Sequence, residues 1–142
     1  MTYQDGDLLR FSPFAFKNGD QPKTKYFIVL RHIDDKLLMA CLPTSKDHIP
    51  ADAMVEHGCV DIPERCVNAF VFNPTDLVTS SFSFPLPTFV YGEQVDEYEQ
   101  KYLDEMDSVV EQLGQIEQSV FQDLKDCLKK AVLLRRKYRH LL

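Results

Sequence analysis

The chain contains no run of the roughly 18 consecutive apolar residues needed to cross a bilayer, so no helical membrane span is expected. Its first residues, Met1-Thr2-Tyr3-Gln4-Asp5-Gly6-Asp7, are acidic and lack an apolar core. That speaks against a secretory signal and sets the expectation of a cytoplasmic protein. The cysteines form no CxxC pair, and none of the zinc-site spacings occurs. A phosphate-binding glycine loop and a glycosidase-type carboxylate pair are also lacking, and His32 and His57 show no ligand spacing. Neither a metal nor a cofactor is expected. Internal repeats and low-complexity linkers are absent.

The four cysteines that are present, Cys41, Cys59, Cys66 and Cys127, carry little else that marks them. Cys41 and Cys66 sit in apolar runs and Cys127 on a helical stripe, where thiols act as small hydrophobes. With nothing marking secretion, they are expected to be reduced and structural, not a disulfide framework. At 142 residues, with 44% hydrophobic and 27% charged residues, the chain has the size and composition of a globular protein.

The formal charge of −6 is unevenly spread. Residues 93–124 hold ten acids and one Lys, whereas residues 125–142 hold seven Lys/Arg and one acid. Acids before bases oppose a helix macrodipole and favour antiparallel packing of the two halves. The basic end is also able to meet RNA phosphate.

Hydrophobic patterning divides the chain at residue 95. Before it, short β-like runs alternate with turn formers. Asp7-Leu8-Leu9-Arg10-Phe11 reads as an opening strand, and Lys17–Lys23 as a loop. Tyr26–Ile33 is a nearly continuous apolar run, the mark of a strand buried on both faces. Asp34-Asp35 is a turn, and residues 36–43 form its hairpin partner. Further strands are expected at Cys59–Ile62, Cys66–Phe72 and Thr88–Tyr91, and prolines confine residues 73–87 to edge or loop. Such short strands imply a small, strongly bent barrel. After residue 95 the period changes: Leu103, Met106, Val110, Leu113, Val120, Leu124, Cys127, Ala131, Leu134, Tyr138 and Leu141 make one helical seam. Gly114 marks a break or kink in it. The expected class is thus α+β with a mainly β body. Residues 1–95 would form the barrel and 96–142 an amphipathic helix or helix pair. That tail would pack on the barrel or on a second copy, because one small barrel cannot cover so long a seam. A homodimer follows.

Four segments in one order, Gly6-Asp7-Leu8-Leu9, Lys25–Leu30, Leu42-Pro43-Thr44-Ser45 and Phe89–Val95, resemble the PemK/MazF family of toxins. The resemblance covers residues 6–95, with an echo at Leu113-Gly114-Gln115-Ile116. It implies an SH3-like barrel and a metal-independent endoribonuclease that cleaves single-stranded RNA. It further implies a toxin–antitoxin pair, in which a second copy and an antitoxin protein are the partners. Thr44 and Ser45 fall on the family's catalytic Thr-Ser pair. Lys25 stands where the family has its catalytic arginine, and Tyr26 where it has proline. The tail exceeds the family's single helix by an acidic segment around residues 96–113.

Cleaving RNA without metal needs a base for the 2′-OH, an acid for the 5′-oxygen and cations for the phosphorane. Lys25 is the candidate cation, a point charge and not a planar fork. Thr44 and Ser45 are placed to hold phosphate, and His48 to carry a proton. Lys23 and Lys46 add charge, and Phe14 and Phe16 are candidates to stack on unpaired bases. The same residues have ordinary structural readings: a local turn for Thr44-Ser45, a solvated loop for His48, a strand flank for Lys25, and core for the two phenylalanines. Two other functions therefore stay open, a catalytically silent barrel that binds protein or nucleic acid and an assembly protein built on its tail.

Overall fold

The computed structural model describes residues 2–42, 57–106 and 109–142. Its strands are β1 (Asp7–Phe14), β2 (Lys23–Ile33), β3 (Lys36–Leu42), β4 (Gly58–Ile62), β5 (Val67–Phe72), β6 (Thr88–Tyr91), β7 (Val95–Glu99) and β8 (Val109–Gln115). Helices are α1 (Gln100–Asp104), α2 (Gln118–Lys129) and α3 (Arg136–Arg139), with short 3₁₀ turns at Pro63–Arg65 and Gly92–Gln94. The strands form two antiparallel sheets, one ordered β7-β3-β2-β1-β8 and the other β4-β5-β6.

The β2–β3 hairpin forms as its sequence demands. Ile33 pairs with Lys36 across Asp34-Asp35, and Asp34 takes φ 53°, a left-handed conformation that Asp tolerates better than most residues. Successive strand side chains point to opposite faces. On one face Phe27 and Val29 join Leu9, Phe11, Phe14, Leu37, Met39, Tyr98 and Leu103. On the other, Ile28 and Leu30 join Leu8, Leu38 and Ala40 against the second sheet and the C-terminal helices. Both faces of the central strand are dry, so its apolar run is uninterrupted.

Helix α2 starts where Glu117 accepts hydrogen bonds from the backbone N–H groups of Ser119 and Val120. This satisfies two of the orphan donors at the helix start. Its buried stripe of Phe121, Leu124, Cys127 and Leu128 packs into the core, while Gln122, Asp123 and Asp126 face solvent.

Three expectations are corrected. No closed barrel is present among the described residues, because the β strands divide between two separate sheets. No long C-terminal helix forms either. The segment expected as a helical tail supplies both edge strands of the larger sheet: β7 pairs with β3, and β8 with β1. The open backbone edges of β3 and β1 offer ladder hydrogen bonds that outweigh a helical period, and tertiary context of this kind routinely overrides local preference. Gly114 is not a helix kink; at φ 116° it sits beside the register shift in the β1–β8 ladder, against Thr79. The split at residue 95 therefore separates strands that share one sheet.

The third correction concerns the cysteines. Cys59 of β4 and Cys127 of α2 are disulfide-bonded, with Cα atoms 5.6 Å apart. The packing of α2 on the smaller sheet brings them together, and Asn68 Nδ2 adds a 2.8 Å hydrogen bond to the Cys127 carbonyl. Cys41 and Cys66 are free, and Cys66 is exposed, not core. The bond closes a loop of sequence separation 68. Its reduction without denaturant is expected to lower the unfolding free energy by about 2–4 kcal/mol through greater freedom of the unfolded chain. Urea melts with and without reductant measure this; coincident midpoints would rule it out.

Candidate functional site

The register of β2 with its neighbours builds one end of the larger sheet. Lys23 lies opposite Phe14, Lys25 opposite Phe11, and Phe27 opposite Cys41. Directly paired residues share a face, so Lys25, Phe11, Phe27 and Cys41 all stand on the same side. The strand β3 ends at Leu42, opposite Tyr26 and one position along from Lys25. Thr44, Ser45, Lys46 and His48 lie outside the described residues.

The two candidate stacking residues separate here. Phe14 is fully buried, its ring centroid 4.4 Å from that of Phe27, 5.2 Å from Phe11 and 5.6 Å from Tyr98. It is core and has no face open to a base. Phe16, two residues on, is half-buried and lines a cleft of about 180 Å³. Lys23 is exposed and Lys25 half-buried.

That cleft also takes in Cys41, Glu93, Gln94, Tyr98 and Arg135. Burial pushes the Cys41 thiol up to about 11, against the opposing pull of the Lys25 charge. The thiol is therefore protonated at neutral pH and is no nucleophile. Asp96, at the margin, is held by two partners. Lys17 Nζ lies 3.1 Å from one carboxylate oxygen, and the Tyr138 hydroxyl donates to the other at 2.9 Å. Burial alone would raise the Asp96 carboxyl, but these hydrogen bonds, with one from the Glu97 N–H, prevail and hold it below its ordinary value. The same ammonium sits 4.3 Å above the Tyr98 ring. Lys17, Asp96, Tyr98 and Tyr138 thus form a satisfied cluster.

Glu93, Gln94 and Arg135 differ. All three are exposed, and none has a side-chain hydrogen bond or ion pair among the described residues; Arg135 only approaches the Tyr138 ring, at 5.9 Å. They are nevertheless set on firm backbone. A Cβ on Gly92 would fall 2.5 Å from the Ala131 Cβ and 3.4 Å from that of Leu134. Only glycine allows the 92–94 turn and the 131–135 segment to touch. Leu134 and Tyr138 are buried, and the Arg139 guanidinium donates to the carbonyls of Lys129 and Ala131 at 2.9 and 2.8 Å. These contacts tie down the wall that carries Arg135.

Phe16, a candidate from the sequence, lines this cleft, as do Glu93, Gln94 and Arg135, which the sequence did not single out; Lys25 is not among its lining residues. The one available signal was Gly92 followed by two adjacent polar residues at a strand end. Nothing in the sequence linked that turn to Arg135. Among the described residues, no group of three or more His, Cys, Asp or Glu is arranged to hold a metal ion. Comparison with protein-family models, with curated proteins and with solved structures found no match.

Two outcomes follow from this geometry. Gly92→Ala should destabilise the fold by about 1–3 kcal/mol, the usual cost of overpacking, as read by thermal or urea unfolding; an unchanged midpoint would contradict the close approach. At pH 8 about one Cys41 thiol in a thousand is ionised. Iodoacetamide should therefore modify exposed Cys66 well before Cys41, and peptide mass mapping showing equal rates would overturn the assignment.

Proposed function

We propose that this chain is a PemK/MazF-like endoribonuclease that cleaves single-stranded RNA without a metal ion, as the toxin of a toxin–antitoxin pair. One observation carries the reading. Lys25, the end of β3 that leads into Thr44 and Ser45, and the cleft holding Phe16 all lie at one end of the larger sheet. A cation, the approach to two hydroxyl residues and an aromatic ring are what a single-stranded RNA site combines.

In this mechanism the 2′-oxygen loses its proton and attacks the adjacent phosphorus. The P–O5′ bond then breaks, and the leaving oxygen takes up a proton. His48 is assigned the proton transfers, Thr44 and Ser45 the hydrogen bonds to phosphate, and Lys25 the charge of the phosphorane. Lys23 and Lys46 add long-range attraction. A second copy, an antitoxin protein and a cytoplasmic location belong to the same proposal. The Cys59–Cys127 bond stands against the last of these, since cytosolic thiols are held reduced.

A second reading, a catalytically silent binding module, is favoured by Lys25 itself, because an ammonium cannot give the bidentate contact of a guanidinium. Incubation of purified protein with varied single-stranded RNAs and a chelator distinguishes the two. Cleavage to 2′,3′-cyclic phosphate ends is expected, with Lys25→Ala and Thr44→Ala each losing about 10²-fold or more. Charge removal at Lys130 should cost much less. Absence of cleavage across all the RNAs would favour the binding module.

A further inference from the structure

Three exposed polar side chains with no hydrogen bond or ion pair among the described residues line one cleft together with a half-buried aromatic ring. We propose that the cleft bounded by Phe16, Glu93, Gln94 and Arg135 is a base-reading subsite that takes a guanine from single-stranded RNA, a proposal that rests on the RNA reading above.

Phe16 supplies the stacking surface. Of the two aromatic residues lining the cleft, Tyr98 is buried beneath the Lys17 ammonium, whereas Phe16 is only half-buried. A base stacked on such a ring gains about 1–3 kcal/mol whatever its identity, so the ring provides affinity and not choice.

Choice comes from Glu93. An ionised carboxylate only accepts hydrogen bonds, through two oxygens in one plane. Guanine alone among the four bases presents two adjacent donors on its Watson–Crick edge, N1–H and the N2 amino group. Adenine sets its N1 acceptor beside its amino group, cytosine its N3, and uracil flanks a single donor with two carbonyls. Each would bring a lone pair against the carboxylate, and that repulsion discriminates as much as the attraction to guanine. The neighbouring Gln94 has an amide donor for guanine O6. Arg135, on the facing wall, offers a planar guanidinium to the phosphate that follows the base. Asp96, the other carboxylate of the cleft, does not compete, since Lys17 and Tyr138 occupy it. The Gly92–Ala131 approach holds the Glu93–Gln94 turn in place before the ligand arrives, which reduces the cost of binding.

The test uses the full-length protein and titrates GMP, IMP and AMP by calorimetry, with RNA cleavage scored separately. GMP should bind about 10- to 100-fold more tightly than AMP, the discrimination of one bidentate pair. IMP, which keeps N1–H but lacks the N2 amino group, should fall between them. Glu93→Gln should erase most of the GMP preference and leave AMP nearly unchanged, with an unaltered melting temperature because Glu93 is exposed. Phe16→Ala should weaken all three. Equal binding of GMP and AMP, or a preference that survives Glu93→Gln, would overturn the subsite. RNA cleavage combined with that result would leave the ribonuclease reading standing. A guanine preference lost in Glu93→Gln, with no cleavage of any RNA, would support the subsite and defeat the ribonuclease reading.

Discussion

Burial of strand β2 on both faces is the constraint from which the rest of the structure follows. Phe27 and Val29 on one side and Ile28 and Leu30 on the other are all shielded from water. A strand with two apolar faces needs a cover on each. One cover is made by the aromatic residues of β1, with Tyr98 and Leu103. The other is made by the smaller sheet, α2 and the C-terminal turns. The smaller sheet also buries a separate apolar cluster of its own, Val60, Ala69, Val71, Phe89 and Tyr91.

The demand explains why the last third of the chain winds as it does. Strands β7 and β8 close the ladders of β3 and β1, and between them α1 brings Leu103 onto the aromatic face. After β8 the chain crosses to the opposite face, where α2 lays down its apolar stripe. The disulfide from β4 and the Asn68 amide then tie that helix to the smaller sheet. Arg10 of β1 and Glu111 of β8 form an ion pair across the edge ladder, partly exposed and so worth little in stability, but matched to the register. The basic end of the chain folds back so that Lys137 reaches Glu97 of β7 at 3.7 Å.

The cleft owes its character to a contrast between paired and unpaired groups. Lys17, Asp96 and Tyr138 satisfy one another, and such a cluster contributes order and no chemistry. Glu93, Gln94 and Arg135 sit on backbone held by neighbouring contacts and make no side-chain hydrogen bond or ion pair among the described residues.

The sequence by itself determined the β2–β3 hairpin, the β1, β4, β5 and β6 strands, the mainly β body and Lys25 and Phe16 as candidates. Each rests on local information: an apolar run of strand length, a turn of two aspartates, or a residue's place in a short motif. Leu103, Val110, Leu113, Val120 and Leu124 keep a helical spacing, yet tertiary structure alone decided that β7 and β8 are strands. The reason is that an open sheet edge rewards backbone pairing irrespective of side-chain period. The Cys59–Cys127 pairing was likewise undecidable beforehand, since it depends on where α2 packs. The meeting of Gly92 with Ala131, which brings Arg135 to the same cleft as Phe16, is a contact between distant segments. Periodicity carries no record of such contacts, because it reports which face of an element is apolar and not what that face will meet.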